Sequence, residues 1–473
     1  MRWKGSLLAL LGVAAAAGVA IAYAVGGSGG SAPRRPAPQA LAAGSKRPGT
    51  TGAQAGTRVA GATHVVETNA TALDSATTAA ATTATTTTST TTAGTTTGSR
   101  PPPSRPGHRL IVGTAEDAGK QASAALALSL TEISHRAGFD SVLLSSRWTR
   151  GATRPSAAER TLLGNAIRAA RQQRMQVFVF VWHGLSGGTP RTPAARRQFA
   201  AYAAALAREF PQISSIIVGN EPNLNTFWLP QFGPGGSDLA AQGYFQLLAL
   251  TYDALKAVSP RLEVIGGALA PRGSDRPKQK RATHSPAQFI KDLGAAYRAS
   301  GRRKPIMDAF AMHPYMRTSA ISPLDTNHAE TTITISDYPR LVRLLATAFR
   351  GTGQRGGTLP IYYTEFGVQT SVPPADRHAY NHLGSAAAGD AVDAKTQARY
   401  YFDALAAAAC QPTVRALFIF HTFDEADLRG WQSGLYYADL RPKASLPAFR
   451  VDAAAARAAR LTRCTGTTFI RKK

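Results

Sequence analysis

From about residue 108 onward, short apolar runs alternate with longer stretches of helical spacing. The runs are RLIVGT (109–114), DSVLLSS (140–146), QVFVFVW (176–182), SSIIVGN (214–220), LEVIGGA (262–268), MDAFAMH (307–313), PIYYTEF (360–366) and RALFIFH (415–421). They are nearly continuous in apolar residues rather than alternating, which suits a parallel sheet covered by helices. The segments between them carry helix signals. Ser156 opens SAAE, a capping box. Thr192-Pro193 and Ser285-Pro286 each place a cap before a proline in the first turn. AAYAAALAREF, YFQLLALTYDALKAV, YYFDALAAAAC and LPAFRVDAAAARAAR have helical apolar spacing. Eight strand-then-helix units predict an α/β fold of the (β/α)8 TIM barrel type. A doubly wound open sheet is the alternative. It would more often carry a Gly-rich phosphate loop after its first strand, and GTAEDAG at 113–119 is not one.

Upstream the pattern is different. Residues 26–106 combine GGSGGSAPRRPAPQA, a threonine tract and SRPPPSRPG. So little apolar material cannot offset the entropy of ordering, and a disordered linker is expected there. Residues 1–25 begin with Arg2 and Lys4 and continue as an uncharged, mostly apolar run. That is a signal peptide or a membrane anchor: Ala22-Tyr23-Ala24 offers a cleavage site, and the run also approaches the ~20 residues that span a bilayer. Either way this segment engages the membrane at least during export. The folded part, 107–473, is then expected outside the cytoplasm, secreted or held at the cell envelope.

Charge narrows the partners. The 473 residues hold 54 Lys and Arg against 28 Asp and Glu, a formal charge of +26. That balance favours anionic surfaces or polymers. It does not indicate nucleic acid, because zinc-finger spacing, an RNA-binding aromatic signature and a dense basic helix are all missing from the sequence. Cys410 and Cys464 are too few for a disulfide framework. One bridge and two buried thiols both stand as readings.

In a barrel the chemistry sits at the C-terminal ends of the strands. The residues found there are Glu116 and Asp117, then Arg147 and Trp148, Trp182 and His183, Asn220, Glu221 and Asn223, His313 and Tyr315, Glu365, and finally His421, Asp424 and Glu425. Glu221 and Glu365 close the fourth and seventh strands, which face each other across an eight-stranded mouth. Two opposed carboxyl groups are what glycoside cleavage needs: one protonates the leaving oxygen, the other attacks the anomeric carbon or activates water. Asn220 is placed to hydrogen-bond a sugar hydroxyl, and Tyr315 to hold the nucleophile.

GNEPN (219–223), YTEFG (363–367) and HPY (313–315), in their strand context, resemble the clan A glycoside hydrolases over residues 108 to about 450. The cellulase-like and xylosidase-like families are the most similar. The resemblance implies a retaining enzyme that works through a covalent glycosyl-enzyme. It implies Glu221 as acid/base, preceded by Asn220, Glu365 as nucleophile, and His313 with Tyr315 lining the sugar site. No cofactor is implied. The chain departs from the pattern at the eighth strand, where FIFHTFDEAD places His421 and Phe423 instead of the tryptophan many members carry. Arg147 stands in for their second-strand arginine in unusual wording, LLSSRW.

Four of five tryptophans, Trp148, Trp182, Trp228 and Trp431, fall at or just after strand ends. Aromatic faces stack on sugar rings, so these are candidate substrate contacts, with core packing the competing reading for each. His183, His313 and His421 are read as partners of sugar hydroxyls rather than metal ligands. The loop PRGSDRPKQKRATHS (271–285) is densely basic. It is either a solvated surface loop or a cleft edge that favours an anionic polysaccharide. Asp424, Glu425 and Asp427 form a rival carboxylate group, read as substrate-binding or loop-capping. The functional expectation is a retaining glycosidase. A barrel that only binds carbohydrate, an envelope scaffold, and a transglycosylase using the same carboxylates are the alternatives.

Overall fold

The computed structural model describes residues 104–383 and 390–469. The expected export segment and nearly all of the expected linker lie outside them. The eight apolar runs form eight parallel strands: β1 (Ile111–Ala115), β2 (Ser141–Arg147), β3 (Gln176–Trp182), β4 (Ile213–Val218), β5 (Glu263–Leu269), β6 (Ala309–Met312), β7 (Ile361–Phe366) and β8 (Val414–Phe420). Each pairs with its sequence neighbours. β1 closes the ring against β8, in register from Ile111 with Ala416 to Ala115 with Phe420. Closure excludes the open doubly wound sheet.

The helices wrap the ring: α1 (Ala124–Arg136), α2 (Ala157–Gln172), α3 (Pro193–Glu209), α4 (Leu239–Val258), α5 (Pro286–Ala299), α6 (Tyr338–Ala348), α7 (Ala394–Cys410) and α8 (Leu446–Arg457). Ser156, Thr192 and Ser285 cap α2, α3 and α5, each accepting from the backbone N–H three residues on. Such caps are worth about 1 kcal/mol each. The box at Ser156 is only half made, because the Glu159 carboxylate turns away to Lys120, 3.2 Å distant.

Both sheet faces are buried, which explains the unbroken apolar runs. On β3, Val177, Val179 and Val181 join the outer core against the helices. Phe178 and Phe180 point into the barrel with Ile217, Ile265 and Phe418. Large and small residues alternate inside the ring: a Cβ at Gly113 would collide with the Phe418 ring across the β1–β8 seam. Burying one such phenylalanine contributes about 1.5–3 kcal/mol.

Below the strands' N-terminal ends lies a small antiparallel ribbon of Arg105–Pro106, Arg463–Thr465 and Thr468–Phe469. The first strand of this ribbon, Arg105–Pro106, ends at the expected boundary at 106/107. Cys464 of this ribbon is bonded to Cys410 at the end of α7, so the bridged reading of the two cysteines holds. Among the described residues, no helix is long and apolar enough to cross a membrane.

Candidate active site

Glu221 follows β4 in the left-handed region, φ 41°, after Gly219 at φ 83°. Its N–H donates to the Ala268 carbonyl at 2.8 Å. Ala268 is itself at φ 49°, inside a register shift between β5 and β6. A non-glycine residue held this way costs on the order of 1–3 kcal/mol, which the surrounding contacts must offset. Asn223 fixes the loop beyond. Its side chain accepts from Ala270 N–H and donates to the Ala270 and His284 carbonyls.

Glu365 is aimed by an irregularity too. On β7, Ile361 and Tyr363 face the helices and Tyr362 faces the barrel. Strict alternation would send Glu365 outward with the first two. The β7–β8 register shifts between Tyr363 and Phe366, Phe366 joins the outer core, and Glu365 turns to the mouth, where it meets Tyr315. Bulges of this kind re-aim side chains beside active sites.

The two carboxyl groups meet. One oxygen of Glu221, one of Glu365 and a ring nitrogen of His313 all lie within 4.8 Å of one another. His313 Nδ1 stands 2.9 Å from Glu221 Oε1 and 3.4 Å from Glu365 Oε2. The Tyr315 hydroxyl donates to Glu365 Oε2 at 3.1 Å. Glu221 is wholly buried and Glu365 is 3% exposed. Burial pushes the Glu221 carboxyl well above the ordinary range, opposed by the positive charge of Arg272. Burial also pushes Glu365 up, to about 7, with His313 opposing and the Glu221 charge adding. Burial lowers the His313 pKa, partly offset by Glu365, so the imidazole stays neutral between the acids. The arrangement can keep a proton on one carboxyl while the other is ionised. The same three donors could also hold a divalent cation. Asp238, His284 and Asp292 form a second such set behind the loop, with Asp238 raised to about 8, chiefly by burial.

The remaining sequence candidates divide. Tyr315 lies with the pair at the mouth, Trp431 packs on Tyr315, and Asn220, next to Glu221 in the chain, is buried. Tyr315 and Trp431 rings are 5.1 Å apart and both line a narrow cleft. Arg147 is exposed and packs over Gly184, beside His183. His183 is buried, its pKa lowered to about 4 by burial, with its ring 5.4 Å from Trp228. Trp182 is 4% exposed and packs between Phe180 and Phe227. Trp148 and Trp228 belong to the outer core and not to the cleft. Trp148 donates its indole N–H to Ala152 O and packs on Phe199; Trp228 packs on Tyr244 of α4. Neither has a face left for a sugar.

His421 sits at φ 74°, its Nε2 3.2 Å from Glu425 Oε1. Burial lowers its pKa, but the Glu425 hydrogen bond and the charges of Glu116, Glu425 and Glu365 outweigh this and leave it raised. Glu116 accepts from Thr422 and Ala118 N–H and so braces a loop. The rival carboxylates are engaged too: Asp424 by Lys443 at 2.7 Å and Asp427 by Arg429 at 2.6 Å. Two residues escaped sequence reasoning, Arg272 and Arg317, which line the same cleft as Trp431. Their signals were present, PRG directly after the fifth run and HPYMR after the sixth, but the first was diluted in a basic loop.

No family model matches the chain, and no curated protein matches it by sequence. Similar solved structures are glycoside hydrolases. One is a family 39 enzyme from the gut symbiont Bacteroides cellulosilyticus WH2, at 17% identity and TM-score 0.48 over 74% of this chain; the chain spans 64% of its length. Another is a monomeric beta-xylosidase from Caulobacter crescentus CB15, at 17% identity and TM-score 0.46 over 74% of this chain and 68% of that one. A third is a family 5 enzyme from Streptomyces cattleya in complex with Manβ1-4GlcNAc, at 16% identity and TM-score 0.48 over 74% of this chain and 80% of that one.

Proposed function

We propose that the chain is a retaining glycoside hydrolase that cleaves O-glycosidic bonds of a polysaccharide or oligosaccharide by double displacement. The observation that carries this reading is the close approach of two buried carboxyl groups, one oxygen of each lying within 4.8 Å of one of the other. An inverting pair stands about 6.5–9.5 Å apart to admit a water, whereas a retaining pair stands about 5–5.5 Å apart.

Glu221, kept protonated by burial, donates its proton to the leaving glycosidic oxygen. Glu365, ionised and steadied by the Tyr315 hydroxyl, attacks the anomeric carbon. Glu221, now a carboxylate, takes a proton from water, and that water releases the sugar from Glu365. His313 contacts both acids and keeps them apart in ionisation without adding a charge of its own. The Cys410–Cys464 bridge supports work outside the cytoplasm, where disulfides persist.

The test is covalent trapping with a panel of 2-deoxy-2-fluoro glycosyl fluorides, followed by peptide mass spectrometry. A single glycosyl adduct on the peptide containing Glu365 is expected. Turnover without any adduct, or an adduct on Glu425 or Asp427, would overturn the assignment.

A further inference from the structure

A cleft that reaches the acid pair through Tyr315, whose hydroxyl donates to Glu365, is lined by two arginines and no acid: Arg272 after β5 and Arg317 after β6, with Tyr315 and Trp431 supplying ring faces. Arg272 is half-buried. Its Nη1 is fully buried and has no hydrogen-bond partner among the described residues. A buried guanidinium donor left without an acceptor is uncommon and calls for one. Arg317 is exposed and makes no ion pair among the described residues. Arg272 and Arg317 line the same cleft, and the charges of Glu221 and Arg317 both act on Arg272. The remaining polar lining, including Thr318, Ser319 and Gln369, is neutral.

We propose that Arg272 and Arg317 form a subsite for the carboxylate of a uronic acid residue, so that the chain acts on a uronate-bearing polysaccharide. This rests on the glycosidase reading above. A planar guanidinium fork matches a carboxylate through two parallel hydrogen bonds, and a partly dry cleft strengthens them. The apolar ring faces take the sugar ring while the arginines take its charge. The formal charge of +26 would draw such a polymer toward the protein. The basic loop of the sequence thus narrows to its second residue: Arg276, Lys278 and Lys280 are exposed.

The experiment compares a uronate-bearing oligosaccharide with its carboxyl-reduced form, which has the same backbone and no charge. Binding is read by calorimetry on the Glu365→Gln protein, and hydrolysis on the wild type. Tighter binding of the acidic form by about ten- to hundred-fold is expected, and Arg272→Gln should remove most of that preference. Equal binding of both forms would overturn the subsite, even if hydrolysis proceeds. Absence of all hydrolysis with the binding preference intact would overturn the glycosidase reading and leave the carboxylate site standing. A preference for a sulfated neutral polymer over the uronate would overturn the carboxylate assignment. So would a preference lost in Lys278→Ala/Lys280→Ala and kept in Arg272→Gln, which would place recognition on the exposed loop.

Discussion

Two buried carboxylate clusters sit at the same end of the barrel and do opposite things with their charge. In the loop after β8, Asp424 meets the Lys443 ammonium at 2.7 Å, the Tyr380 hydroxyl at 2.7 Å and Gly434 N–H at 3.0 Å. Both ionic side chains are wholly buried. At the mouth, Glu221 and Glu365 share the His313 imidazole, Glu365 accepts from the Tyr315 phenol, and the charge of Arg272 acts on Glu221. Burial is therefore not what distinguishes a reactive acid from a structural one. Burial raises both Asp424 and Glu365; a carboxylate tied to an ammonium in a closed loop stays in its pair, whereas one facing a second acid across a mouth can hold a proton and give it up to a substrate.

The contrast is sharpest in activity. Glu365→Gln should lower kcat by at least about 10⁴-fold, while Asp424→Asn should leave the folded fraction within about ten-fold of wild type. Steady-state kinetics on an activated aryl glycoside measures both, and comparable losses would erase the distinction. Stability should show the reverse. Asp424→Asn strands Lys443 in the core and is expected to cost about 3–5 kcal/mol in denaturant unfolding.

Glu365→Gln should instead stabilise at neutral to basic pH. The folded-state pKa of about 7 lies above the ordinary 4.5, so the folded chain holds this proton more tightly than the unfolded one. The stability this gives is complete below about pH 4.5 and is lost as pH rises through about 7. The variant should therefore melt about 2–5 °C above wild type at pH 8 and level with it near pH 4.5. A constant difference across that range would mean that packing, not ionisation, governs the site. The smallest effect is expected from Tyr315→Phe. Its hydroxyl favours the ionised form of Glu365. Removing it should move the acid limb of the kcat/KM profile, expected near pH 7, to higher pH by about half a unit to one unit.

Much of this arrangement was legible beforehand. The apolar runs gave each strand to within two residues, and three cap-and-turn signals gave the starts of α2, α3 and α5. Glu221, Glu365, His313 and Tyr315 were found because each ends or follows a strand. What the sequence hid is facing. Trp148 and Trp228 follow strands as closely as Trp431 does, yet they turn outward to the helices. Glu365 faces the mouth only because β7 slips register against β8, and no local pattern announces that slip. Asp424 was read as substrate-binding or loop-capping, and its ion pair was not foreseen because Lys443 lies beyond an intervening turn.

The seam between β1 and β8 bears on how the chain is made. Ile111 finds its partner only at Ala416. A ribosome working at about 5–20 residues per second needs roughly 15–60 s to deliver that last strand. Throughout that interval the ring is an open sheet with two apolar edges, and Glu221 already stands at one of its rims with no Glu365 opposite. The nascent chain must be shielded until its eighth strand arrives, so the machinery of synthesis, more than the finished barrel's stability, will govern how much folded protein a cell obtains.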